Sequence, residues 1–261
     1  MDHSEVSEVL ARYDREMRRE ARPDGPASRI ERTGNVVRQT GPAHGWNGVL
    51  WSGLDESGAD AAIAEQITHF TGLGREFEWK VYGHDRPADL GRRLVAAGFT
   101  PEPWEALMVA ETAAVPHDTP APGGVRLLPV TDAAGVGLVV EVHERAFGGD
   151  GSRLRQTLLD QLAAAPDAVV AVVAVADGVP VSAARMELPA GTAFAGLWGG
   201  GTVPGWRGRG VYRALVAHRA RIAAERGYAY LHVDAMADSR PILERLGFAR
   251  LTTTTPYVYV P

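Results

Sequence analysis

The stretch Gly205-Trp206-Arg207-Gly208-Arg209-Gly210-Val211-Tyr212-Arg213-Ala214-Leu215, GWRGRGVYRAL (205–215), sets two glycines and two arginines in alternation over 207–210, directly ahead of a helical pattern. The first N–H groups of a helix have no acceptor within it and carry a partial positive charge. Glycines let that backbone close round an anion without a Cβ in the way. Arg207 and Arg209 add positive field. The loop is shaped for a phosphate or pyrophosphate. It lacks the Gly-Lys-Ser/Thr ending of a nucleotide-triphosphate loop. Gly208, Gly210 and Arg213 spell GxGxxR rather than the dinucleotide fingerprint, and the preceding strand comes late in its module.

Outward from the loop, the second part of the chain reads as a regular α/β order. GVRLLPV is a strand, Asp132 to Phe147 a helix, and Ser152 can cap a further helix to about Ala165. AVVAVVAVADGVPVSAARMEL (168–188) is a hairpin turning at Asp177-Gly178. GTAFAGLWGGGTV (191–203) is a glycine-rich strand, and 211–226 is the helix after the loop. YAYLHVDA is a strand, 238–246 a short helix, and LTTTTPYVYV the last strand. The first part offers a helix over 4–20, a hairpin at 28–42 turning at Thr33-Gly34, and a strand at 47–54. A helix over 59–71, a strand at 76–82, a helix opened by Pro87 and a strand at 104–111 follow. VPHDTPAPGG (115–124) reads as a linker.

The two parts share landmarks. Leu50-Trp51 answers Leu197-Trp198, and Gly98-Phe99 answers Gly247-Phe248, which points to internal duplication. The expected domains are 1–114, a linker at 115–124, and 125–261.

Composition bounds the rest. The chain has 261 residues, 45% hydrophobic and 23% charged, with a formal charge of −5. That balance argues against nucleic acid as the main partner. There is no cysteine, which excludes disulfides and thiolate chemistry, and the eight histidines show no metal-ligand spacing, so no metal is expected. The charged N-terminus does not read as a signal peptide, and the apolar run 168–176 is too short to span a bilayer. A cytoplasmic protein without membrane attachment is expected.

The pattern Arg207-Gly208-Arg209-Gly210-Val211-Tyr212 resembles the acetyl-CoA loop of the GCN5-related N-acetyltransferases, Q/R-x-x-G-x-G/A, except at its last position. The order of elements from Val125 to Val260 is also similar to that family, including its strand, short helix, Leu-Gly-Phe and strand ending. The resemblance implies an α/β fold of two such modules, each a splayed mixed sheet flanked by helices. It implies acetyl-CoA as co-substrate, with its pyrophosphate on the backbone of Gly208, Arg209, Gly210, Val211 and Tyr212. The pantetheine arm would lie along Gly201, Thr202 and Val203.

The implied reaction is attack of a primary amine, on a small molecule or peptide, on the thioester. A general base serves such an attack. Glu187 is the first candidate, ahead of Asp234 and His232, each with an ordinary structural reading as well. Glu144 and Asp150 either line the acceptor entrance or face water. The family's tyrosine acid falls at Leu243 here; Tyr257, Tyr259 or solvent could substitute, though both tyrosines read as ordinary strand residues. A non-catalytic acyl-CoA-binding sensor is the alternative. The first module has Asp55, Glu56 and Asp60 where the second has the Arg-Gly loop, so it is expected to be silent toward cofactor. His84 and Asp85 read as an acceptor contact or, more simply, a helix-entry turn. A homodimer is kept open.

Overall fold

The computed structural model describes residues 3–261, which fold into two compact units. The units are not linear halves. The first contains the chain to Met108 together with Asp234–Arg240 and Ala249–Pro261; the second contains Val109–Val233 and Pro241–Phe248.

In the first unit, helix α1 (His3–Tyr13) runs on into a π-helical turn over Asp14–Arg19. Strands β1 (Arg29–Thr33) and β2 (Val36–Thr40) form the expected hairpin, with its positive φ at Gly34. β3 (Gly48–Ser52) pairs antiparallel with β2 and parallel with β4 (Phe77–Tyr82). Helix α2 (Ala59–Gly72) joins β3 to β4, and α3 (Leu90–Ala96) follows. Pro87 does not open α3; it lies in the preceding turn, where its carbonyl accepts from Leu90 N. A short β5 (Thr100–Pro101) leads to β6 (Glu105–Glu111), which leaves the first unit after Met108.

The unexpected member of this unit is the last strand, β12 (Ala249–Tyr259). It pairs antiparallel with β4 from Thr254 opposite Tyr82 to Tyr259 opposite Phe77. Tyr259 packs against Phe77 and Phe99, and Tyr257 borders the same core of Phe70, Phe77, Trp79, Leu90 and Leu94. The expected boundary, which kept 125–261 as one module, therefore does not describe the compact units. Strand partners are chosen by nonlocal ladders and packing, which a linear order of elements does not encode.

In the second unit the order across the sheet is β7 (Val125–Val130), β8 (Val169–Ala176), β9 (Val179–Glu187), β10 (Phe194–Thr202) and β11 (Tyr230–Ala235, its last two residues in the first unit). β8 is an apolar run with seven of its eight positions buried, as expected of a strand covered on both faces. The β8–β9 turn is Asp177-Gly178, both at positive φ, as the Asp-Gly dipeptide predicts.

Helix α4 (Ala133–Phe147) buries Val136, Val139, Val140 and Val142, and Asp132 caps it by accepting from Gly135 N at 2.8 Å. In α5 (Ser152–Ala164), Ser152 is the first helical residue rather than the cap: its hydroxyl and N–H both donate to Asp150. Helix α6 (Val211–Glu225) packs an alanine face, Ala214, Ala217, Ala220 and Ala223, and α7 (Arg240–Arg245) precedes β12. No helix of the described residues is long and apolar enough to cross a membrane, and no group of His, Asp or Glu among them is placed to hold a metal ion.

Candidate functional site

The second unit's sheet opens into a fork. β10 pairs parallel with β11 only at Phe194, Ala195 and Gly196. Its antiparallel ladder with β9 continues to Thr202 opposite Ser182, with a bulge between Trp198 and Gly201. From Leu197 onward, β10 thus runs without the parallel ladder that began it. Gly199 takes φ +58 within the bulge, a conformation glycine adopts freely. Ser182 holds the strand end by donating to Gly201 O at 2.6 Å. Gly201 has no room for a side chain, because a Cβ there would meet the Phe147 ring at 2.7 Å.

The loop beyond the fork is built from backbone. Val203 N donates to Val181 O at 3.0 Å, and Pro204–Trp206 form a single 3₁₀ turn. Gly208 and Gly210 have φ of +73 and +88. Gly210 is the N-cap of α6, with no side-chain cap. The first N–H groups of α6 therefore have no acceptor within the helix. Arg209 lies over the Trp206 ring at 4.7 Å. Arg207 donates through Nε to Thr202 O and through Nη2 to Ala146 O, both at 3.1 Å, so its guanidinium ties the loop to the strand end and to α4.

Tyr212 turns away from the loop onto Gly200, where an added Cβ would lie 2.8 Å from the ring. Burial raises its hydroxyl pKa, and Arg219 opposes that rise. Arg219 is itself buried, donating to Leu215 O at 3.0 Å and to Arg185 O at 2.9 Å, and burial lowers its pKa to about 10.

The opposite face of the fork carries the polar groups. In register, Arg185 stands across from Trp198, and Glu187 across from Gly196, which in turn faces His232 on β11. Arg185, Glu187, Trp198 and His232 therefore share one face. Trp198 and His232 cover Gly196, with their rings edge to face at 5.9 Å. A small cleft of about 10 Å³ opens beside them, lined by His143 and Val139 of α4, Leu154 of α5, and Arg185, Gly199 and Gly201. Sequence reading missed Arg185 and His143; their only signal is alternation with Glu187 on β9 and a polar position in the last turns of α4. Burial, and then the Arg185 charge, lower the His143 pKa, while Glu144 acts to raise it. Its imidazole is neutral at neutral pH.

Other candidates stand apart from this face. Asp234 belongs to the first unit, where its buried carboxylate pairs with Lys80, so it is withdrawn as a base. Tyr257 and Tyr259 pack in the first unit's core, as ordinary strand residues do. Leu243 is fully buried. Glu144 accepts from Gly151 N at 3.0 Å, fixing the α4–α5 loop.

The first unit has a fork of its own, since β3 and β4 pair only at Gly48 and Val49. Arg18 bridges it. Its Nε donates to Leu50 O at 3.1 Å, its guanidinium lies 3.6 Å over the Tyr82 ring, and it pairs with Asp85 at 2.8 Å and Asp14 at 2.6 Å. His84 meets Asp14 at 2.7 Å. His84 and Asp85 are thus parts of this network. Ahead of α2, Asp55 accepts from Ser57 N, Ser57 Oγ and Gly58 N, and these hydrogen bonds, led by that from the Ser57 hydroxyl, lower its pKa.

Residues 138–248 match the family model described as Acetyltransferase (GNAT) family. No curated protein matches the sequence. Among solved structures, a GCN5-related N-acetyltransferase from Kribbella flavida is similar, with a TM-score of 0.66 at 21% identity over 97% of this chain and 93% of that one. A GCN5-related N-acetyltransferase from Sphaerobacter thermophilus gives 0.61 at 13% identity, over 97% and 84%. A tandem GNAT protein from the clavulanic acid biosynthesis pathway gives 0.59 at 14%, over 90% and 84%. These similarities show the GNAT fold: mixed sheet, flanking helices, and the Arg-Gly loop within the matched segment.

Proposed function

We propose that this chain transfers an acetyl group from acetyl-CoA to an amine, and that the second unit alone holds the co-substrate. The observation that carries the reading is the junction of the fork with α6. β10 leaves its parallel partner after Gly196, and Gly210, at φ +88, opens a helix N-terminus without a side-chain cap. The edge at Gly201, Thr202 and Val203 suits an extended amide-bearing arm, as an added strand does. The backbone of Gly208–Tyr212 suits a pyrophosphate. Bound there, acetyl-CoA supplies the activated acyl group.

The chain's own residues supply position and proton transfer. Arg207 holds the loop against β10 rather than reaching outward. Glu187 stands level with the last paired residue of the fork and is the proposed proton acceptor for the amine, with neutral His143 the other basic group at the cleft. Leu243 lies in the core, so protonation of the departing thiolate falls to solvent. The first unit repeats the fork without the loop, and Arg18 takes the Leu50 carbonyl inside it. We read it as a silent copy of the same module.

A thiol-release screen with acetyl-CoA over amino acids, aminoglycosides, polyamines and peptides tests the reading. Release with at least one amine supports it. Tight binding without release against any amine instead supports the sensor reading, which the loss of the tyrosine acid at Leu243 favours. Glu187→Gln is expected to lower kcat by about a hundredfold while leaving acetyl-CoA affinity in place. An unchanged pH–rate profile removes Glu187 as the base.

A further inference from the structure

The cleft contains a cation that the fold leaves incompletely used. Arg185 projects from β9 on the face covered by α4, and its stem passes Gly199 at 3.9 Å from where a Cβ would stand. From behind, Arg219 donates to the Arg185 carbonyl at 2.9 Å and fixes the backbone there. Arg185 Nε is buried and meets no hydrogen-bond acceptor among the described residues. No carboxylate lines the cleft. A buried guanidinium N–H without an acceptor is costly, and a bidentate oxyanion is the ligand whose shape meets the guanidinium fork.

Spacing narrows the ligand. Glu187 lies two residues further along the same face, about 7 Å at strand rise. Neighbouring positions on one strand face are within reach of a small molecule with a carboxylate at one end and an amine one or two carbons away. We infer that Arg185 is a specificity-determining residue that binds the carboxylate of a small amino-acid acceptor and turns its amine toward Glu187. The inference rests on the proposed transferase reading for its chemistry. The carboxylate site itself rests on Arg185.

Two measurements test it. In the thiol-release assay, α- and β-amino acids are compared with their carboxamides. Acids are expected to exceed amides in kcat/KM by at least about tenfold, and Arg185→Gln to bring the ratio toward one. Equal rates, or use of other amines with no acid accepted, overturn the inference.

The second measurement needs no acetyl-CoA. The His143 imidazole is titrated by NMR, assigned with His143→Gln, in N-acetylglycine and in N-acetylglycinamide. A carboxylate on Arg185 offsets the charge that helps hold His143 down, so N-acetylglycine is expected to raise its pKa, the amide to leave it, and Arg185→Gln to abolish the difference. No shift with N-acetylglycine overturns the Arg185 assignment whatever acetyl-CoA does. A shift in a protein that does not bind acetyl-CoA overturns the transferase reading and keeps Arg185 as a carboxylate site.

Discussion

Tyr212 rests on Gly200, and that contact explains a departure from the loop pattern that looked like damage in the sequence. The pattern asks for a small residue because backbone must reach phosphate. Here the side chain is accommodated by a glycine on the neighbouring strand. Gly200→Val is expected to push the ring off β10 and weaken acetyl-CoA binding by calorimetry; unchanged affinity would separate that contact from the site. Gly210→Val places a β-branched residue at φ +88, a strain of about 1–3 kcal/mol. It is expected to weaken acetyl-CoA binding and lower the melting temperature together. The glycines were legible in the sequence because a backbone requirement leaves a residue type behind. Arg207 was legible as a loop cation, but its use, tying Thr202 O and Ala146 O, was not, since a guanidinium serves carbonyl and phosphate alike. Arg185 was hidden for a different reason: an arginine inside an apolar hairpin strand carries no local sign of the cleft beside it.

At the scale of elements, helices and hairpins follow from periodicity and turn chemistry, and most stand where those signals put them. The π-helical turn at Asp14–Arg19 does not follow from amphipathic spacing. It brings Arg18 into the fork between β3 and β4. The Arg18 side chain is 2% exposed and that of Asp85 4%, so Arg18→Met leaves a carboxylate buried without its cation. A loss of about 3 kcal/mol or more in urea denaturation is expected; a loss under 1 kcal/mol would mean that the network is not structural. Asp14 provides the pH test. Burial alone would raise its pKa, but hydrogen bonds from His84 and Arg18 and the Arg18 charge outweigh that, and the net shift is downward from 3.8. A depressed carboxylate stabilises the fold above its unfolded pKa and loses that contribution as pH falls through the folded one. The stability gap between wild type and Asp14→Asn is therefore expected to be full at pH 7 and to shrink below about pH 4. A gap that holds constant to pH 2.5 would contradict the assignment.

For the whole molecule, the linear reading expected two modules in order, with the loop in the second. What it could not find was that β12 completes the first unit's sheet. Ladder pairing to β4 and the packing of Tyr257 and Tyr259 decide that, and both act across most of the chain length. The consequence is functional. The two tyrosines offered by the sequence as replacements for the missing acid are spent in the first unit's core, and Asp234 is spent on Lys80. The proposed chemistry therefore falls to the one face of the second unit that carries Arg185, Glu187, Trp198, His232 and His143.

The central claim is one co-substrate site, formed by the fork and the α6 N-terminus of the second unit, and none in the first unit, whose fork Arg18 bridges. Isothermal titration of acetyl-CoA into the intact chain tests it most directly. One molecule bound per chain, weakened by Gly210→Val and by Arg207→Ala and unaffected by Asp55→Asn, is the predicted result. Two molecules per chain, or none at high micromolar ligand, would contradict it.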